Sequence, residues 1–113
     1  MKTFARLDRL EYLLIEEAHR RYQAFDFPEP SMIGVVRREQ SSGGRRTYLA
    51  YEGRVLVGNG LIPLAQAFLP SLDLLVTAEL EIVSGLMACL HLIVAGDCKW
   101  SGEVPEPIEL LLG

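Results

Sequence analysis

The chain has 113 residues and a mass of 12.6 kDa, the size of one ordinary domain, which excludes a two-domain enzyme with its site in an interdomain cleft. Residues 1–113 are accordingly read as one domain. Half of them are apolar and the mean hydropathy is +0.20, high for a chain this short, because a small domain keeps a large surface relative to its volume. The net charge of −4 and pI near 5.1 exclude coating of nucleic acid by the chain as a whole.

Charges at Lys2, Arg6, Asp8 and Arg9 interrupt the N-terminus, so no apolar run of signal-peptide type forms there. The most apolar stretch, 82–95, is too short to cross a bilayer core that needs about 20 residues. Cys89 and Cys98 are the only cysteines. Without a secretion signal they read as two reduced thiols, and the expected compartment is the cytoplasm.

From Leu7 the apolar positions Leu10, Leu14, Ala18, Tyr22 and Phe25 step by three or four, which predicts an amphipathic helix. Tyr12, Leu13 and Ile15 widen its apolar face, and Pro28 and Pro30 bound it. The period then changes. Met32–Arg38, Thr47–Tyr51 and Arg54–Gly58 read as a three-stranded antiparallel meander, with Ser41-Ser42-Gly43-Gly44 and Glu52-Gly53 as turns. After Gly58-Asn59-Gly60 the expectation returns to helix, with Pro63 in a first turn. Thr77 is the expected N-cap of a last helix carrying Leu80, Val83, Met87, Leu90 and Val94, ended by Gly96. The tail after Trp100, with Ile108, Leu110, Leu111 and Leu112, either docks on its own domain or is offered to another chain. The expected fold is therefore α+β: an N-terminal amphipathic helix, the meander, and two or three C-terminal helices packed on it.

Charge is divided unevenly. Residues 1–54 hold ten basic and eight acidic side chains, whereas 55–113 hold Lys99 against seven acids. Arg37, Arg38, Arg45, Arg46 and Arg54 crowd the meander with Tyr48 and Tyr51 between them, a face able to grip a phosphate backbone or stack unpaired bases. It serves equally as a solvated face or as a rim that orients an acidic partner.

No catalytic constellation emerges, no cofactor motif is found, and no metal site is expected. Gly58-Asn59-Gly60 lacks the third glycine of a dinucleotide fingerprint. Cys89 and His91, two apart on the expected helix, sit about 200° around it and do not reach one ion. Cys98 with His91 has no supporting motif. Glu16 with Glu17, and Glu79 with Glu81, diverge on a helix in the same way and serve no paired-carboxylate chemistry.

The anomaly is the last helix, apolar on nearly every side, with Ser84, Gly85 and Ala88 small enough to admit another helix. It is either a wrapped core helix or an interface. Arg54 to Ala67, followed by Leu72 and Leu74-Leu75, resembles small bacterial domains found beside regulators. In size, acidity and helical apolar surface the chain is similar to small bacterial antiactivators of the quorum-sensing type. That resemblance implies a dimer that occludes a transcription factor and blocks its DNA binding.

The expected function is thus a non-enzymatic, homodimeric protein that binds and inhibits a protein partner, through Tyr12, Ile15 and Tyr22 of the first helix and Leu86, Met87, Leu90 and Ile93 of the last. One alternative is a polyanion binder using Arg37, Arg38, Arg45, Arg46 and Arg54. A further one is a ligand-binding or enzyme domain with a pocket around Cys89, His91, Cys98 and Trp100.

Overall fold

The computed structural model describes residues 4–111, so Met1, Lys2 and Thr3 of the charged N-terminus and Leu112 of the leucine-rich tail lie outside the described residues. Helix α1 (Arg9–Arg21) starts where its caps dictate. Asp8 accepts the Glu11 N–H at 2.9 Å and Glu11 accepts the Asp8 N–H at 2.8 Å, a reciprocal capping box. His19, Arg20 and Arg21 fill the last turn, where the dipole favours cations. Leu10, Leu14, Ile15 and Ala18 are buried along one stripe.

The rest of the chain builds one antiparallel sheet. Its strands are β1 (Gly34–Ser41), β2 (Gly44–Ala50), β3 (Gly60–Pro63), β4 (Gln66–Leu69), β5 (Leu74–Val83), β6 (Leu86–Val94) and β7 (Glu109–Leu111). The order is β1-β2-β6-β5-β4-β7, with β3 also on β5. Residues 60–69 behave as one interrupted strand: β3 pairs with the second half of β5, Leu64 donates to Ala78 O, and β4 pairs with the first half. In β5, Leu74, Val76, Ala78, Leu80 and Ile82 are buried and the residues between them are partly or fully exposed, the alternation of a sheet with one covered face. Leu80, Leu90, Leu92 and Leu49 join the α1 stripe in one core with Val55 and Trp100. The Cα extents are 35 × 35 × 22 Å, and the shortest matches one sheet plus one covering layer. The opposite face is open.

This corrects the expected architecture. Among the described residues no α-helix follows the meander region, and the chain is an antiparallel sheet covered on one face by a single α-helix. The positions Leu80, Val83, Met87, Leu90 and Val94 fall on two strands, not one helix. Thr77 caps nothing and lies mid-strand in β5. Ser84 and Gly85, expected to let a helix approach, form the β5–β6 turn with φ of 52° and 78°; positive φ at both positions matches the turn to the strand twist. Pro63 ends β3, an edge position that needs no ladder N–H. Arg54–Gly58, the expected third meander strand, is a loop whose Val55 N–H donates to Gly85 O at 2.8 Å. No described helix is long and apolar enough to cross a membrane.

Candidate functional site

Because adjacent side chains of a strand point to opposite faces, the pairing register sorts the polar residues into two groups. Toward α1 point Arg38, Arg45 and Thr47, and all three converge on Glu11, which is fully buried. Arg38 donates to both Glu11 oxygens, at 2.9 Å from Nε and 2.5 Å from Nη2, and Thr47 Oγ1 donates at 2.5 Å. Arg45 reaches Asp8 at 2.6 Å and Glu11 at 3.3 Å, its guanidinium 4.8 Å from the Trp100 ring centroid. Burial pushes the Glu11 carboxyl up, but the bonds from Arg38, Thr47 and the Asp8 N–H together with the Arg45 charge hold it below the usual carboxylate value. This cluster pins α1 to β1 and β2.

The open face carries two cross-strand rows. The first runs Arg37, Tyr48, Cys89, Glu81, Leu61, and the second runs Glu39, Arg46, His91, Glu79, Pro63. Arg37 lies 4.1 Å over the Tyr48 ring, whose hydroxyl donates to Glu39 at 2.7 Å. His91 Nε2 sits 2.9 Å from Glu81 Oε1. Cys89 is buried beneath these neighbours, and burial, then the Glu81 charge, push its thiol up to about 11 despite the opposing pull of Arg46. Such a thiol is the reverse of an activated nucleophile. A cavity of about 420 Å³ opens beside the second row, lined by Glu39, Gln40, Ser41, Gly43, Gly44, Arg45, Arg46, His91, Leu92 and Ile93.

One expectation about this region is overturned. Cys89 and His91 diverge only if they are helical; on β6 they are two apart on one face, and the carboxylate of Glu81, the thiol of Cys89 and the imidazole of His91 lie within 4.8 Å of one another. A metal site is therefore geometrically open where none was expected. Glu79 and Glu81 likewise share a face, each opposite a member of the Cys-x-His pair. The signal that finds them is Glu-x-Glu and Cys-x-His flanking Ser-Gly, the pattern of facing hairpin strands.

The other expected residues are dispersed. Ile15, Met87 and Leu90 are core residues, 0%, 3% and 0% exposed. Tyr12 is half-buried, and Tyr22 stacks on Phe25 and donates to Pro63 O at 2.8 Å. Leu86 and Ile93 stay exposed on the open face. Of the five arginines, Arg38 and Arg45 are bound to α1, Arg37 leans on Tyr48 and Glu39, and Arg54 donates to Ser84 O. Of these five, Arg46 alone has neither an ion-pair nor a side-chain hydrogen-bond partner among the described residues. Cys98 is exposed and Trp100 buried against Arg45, so Cys89, His91, Cys98 and Trp100 do not line one pocket.

Alternation on the open face also leaves apolar groups at both ends. Leu61, Val83 and Leu86 surround the β5–β6 turn at 57%, 47% and 39% exposure, and Ile93, at 45%, lies beyond the polar rows beside half-buried Leu75 and Phe68. Comparison with protein-family models, with curated proteins and with solved structures finds no match to this chain.

Proposed function

We propose that the protein is a small non-enzymatic interaction protein that forms a homodimer through the open face of its sheet and acts by contact on a protein partner. One observation carries this reading: a sheet whose second face has no covering layer exposes Leu61, Val83, Leu86 and Ile93 around charged rows, an arrangement that marks interaction surfaces. The charges support a second copy as the occupant. Arg46, which has no ion-pair partner among the described residues, lies on one side of β6 and Glu79 on the other, in one cross-strand row. A two-fold axis near β6 sets Arg46 of each copy over Glu79 of the other, the self-complementarity a symmetric dimer requires. Inhibition of a transcription factor in a reducing cytoplasm is the form of contact that the antiactivator resemblance implies. It belongs to the same proposal.

Light scattering after size exclusion tests the dimer. Wild type is expected at about twice 12.6 kDa, Ile93→Lys and Arg46→Glu near the monomer mass, and Arg46→Glu with Glu79→Arg back toward the dimer. A wild type that stays monomeric at every concentration, or an Ile93→Lys variant that remains dimeric, refutes the reading.

A further inference from the structure

Glu81, Cys89 and His91 come from the two longest strands of the sheet, joined by a two-residue turn, with a register shift just after Glu81. Cys89 stands directly opposite Glu81, and His91 follows two residues on along the same face. Each offers one donor atom, a thiol sulfur, an imidazole nitrogen and a carboxylate oxygen, all within 4.8 Å of one another. Donors around a tetrahedral zinc at 2.0–2.3 Å stand about 3.3–3.8 Å apart. The remaining difference of about an ångström falls to side-chain rotation within the site.

We infer that Glu81, Cys89 and His91 form a binding site for one divalent transition metal of the zinc class, with its fourth coordination position open. The donor set chooses the metal. Calcium and magnesium demand oxygen ligands, whereas sulfur with imidazole and one carboxylate suits zinc or cobalt. Three protein ligands leave one position for water or an exchangeable group, and the half-buried Glu81 and His91 side chains leave that position toward solvent. Binding is a proton exchange as well as a coordination. The Cys89 thiol gives up its proton to solvent and becomes the sulfur ligand. The Glu81–His91 hydrogen bond opens, and His91 presents the Nε2 lone pair with its remaining proton on Nδ1. No electron is transferred.

This inference goes beyond the interaction reading and does not depend on it, since metal uptake is read spectroscopically in monomer or dimer alike. The test is titration of chelator-treated, reduced full-length protein with cobalt(II) and then zinc(II), in a Cys98→Ser background so that the exposed thiol contributes nothing. One equivalent of cobalt is expected to give a thiolate-to-cobalt charge-transfer band and intense tetrahedral visible bands, both abolished by one equivalent of zinc. Cys89→Ser removes the charge-transfer band and weakens binding by at least about 100-fold, His91→Ala does the same for affinity, and Glu81→Gln costs about 10-fold. A second measurement needs no change at the site: in the wild type, zinc is expected to shift the Nε2 resonance of His91 and leave that of His19 in place. The inference is overturned by an absent charge-transfer band, by one that survives in Cys89→Ser, or by an unmoved His91 resonance.

Discussion

Replacing Glu11 by glutamine removes one charge at the point where α1 meets the sheet and changes almost nothing in shape. The carboxylate is fully buried and accepts four hydrogen bonds: two from Arg38, one from Thr47 and one from the Asp8 N–H. Glutamine keeps one oxygen and turns an NH2 toward donors. Breaking a buried ion pair costs about 3–5 kcal/mol, and the Arg38 side chain, 30% exposed, recovers part of that from water. Arg45, 5% exposed, does not. The expected cost of Glu11→Gln is therefore about 3 kcal/mol near pH 7, a large share of a domain's total of about 5–15 kcal/mol. Urea unfolding followed by circular dichroism reads it as a lowered midpoint at unchanged slope. The pH dependence supplies the sharper check. The folded carboxyl titrates below its unfolded value, so its contribution is complete above the unfolded pKa of about 4.3 and is lost as pH falls through the folded one. Wild type and Glu11→Gln should thus converge in stability as pH falls below about 5 and on through the lowered folded value. A difference under about 1 kcal/mol at neutral pH, or one that persists undiminished in acid, refutes the assignment of this cluster as the clamp between helix and sheet.

A second expectation concerns the β1–β2 turn. A Cβ on Gly44 would stand 2.1 Å from Leu92 O, and one on Gly43 meets nothing within 4 Å, so thermal unfolding should show Gly44→Ala losing about 2–3 kcal/mol and Gly43→Ala within about 0.5–1. A third concerns the arginines: with Arg38, Arg45, Arg37 and Arg54 engaged inside the molecule, the protein should elute from heparin at low salt, and strong retention lost only in Arg46→Ala would restore the polyanion reading.

The N-terminal helix and the first hairpin were legible because their signals are local. Asp8 with Glu11 is a capping box readable as letters, and Ser42-Gly43 separates two β-rich runs. The second half misled through an ambiguity of period. Leu80, Val83, Met87, Leu90 and Val94 satisfy a helical spacing, but Leu74, Val76, Ala78, Leu80 and Ile82 satisfy a strict alternation, with Thr77, Glu79 and Glu81 between them. Two facing strands joined by a short turn present apolar residues often enough to fill both templates. The β-branched content, Val76, Thr77, Ile82 and Val83 before the turn and Ile93 and Val94 after it, favours the strand. Ser-Gly at the midpoint decides for it, because a helix has no use for two positive-φ residues in its centre. Pro63 was ambiguous in the same way, serving the first turn of a helix or the end of an edge strand.

That single choice of period also decided what chemistry was visible. On a helix, residues two apart point about 200° from each other, so Cys89 with His91 and Glu79 with Glu81 look like scattered surface side chains. On a strand the same spacing puts each pair on one face about 7 Å apart, and a two-residue turn brings the pairs opposite one another. A four-member polar cluster appears from letters that had seemed unrelated. The apolar excess follows the same logic. It needs no helix exposed on all sides, because a sheet covered on one face leaves Leu61, Val83, Leu86 and Ile93 on the other, and Arg46 without a partner among the glutamates of its own chain. Only the buried half of the polar network, Glu11 with Arg38, Arg45 and Thr47, lay beyond any local reading: Glu11 stands 27 to 36 residues from the other three, and nothing in that spacing says that one carboxylate will collect them.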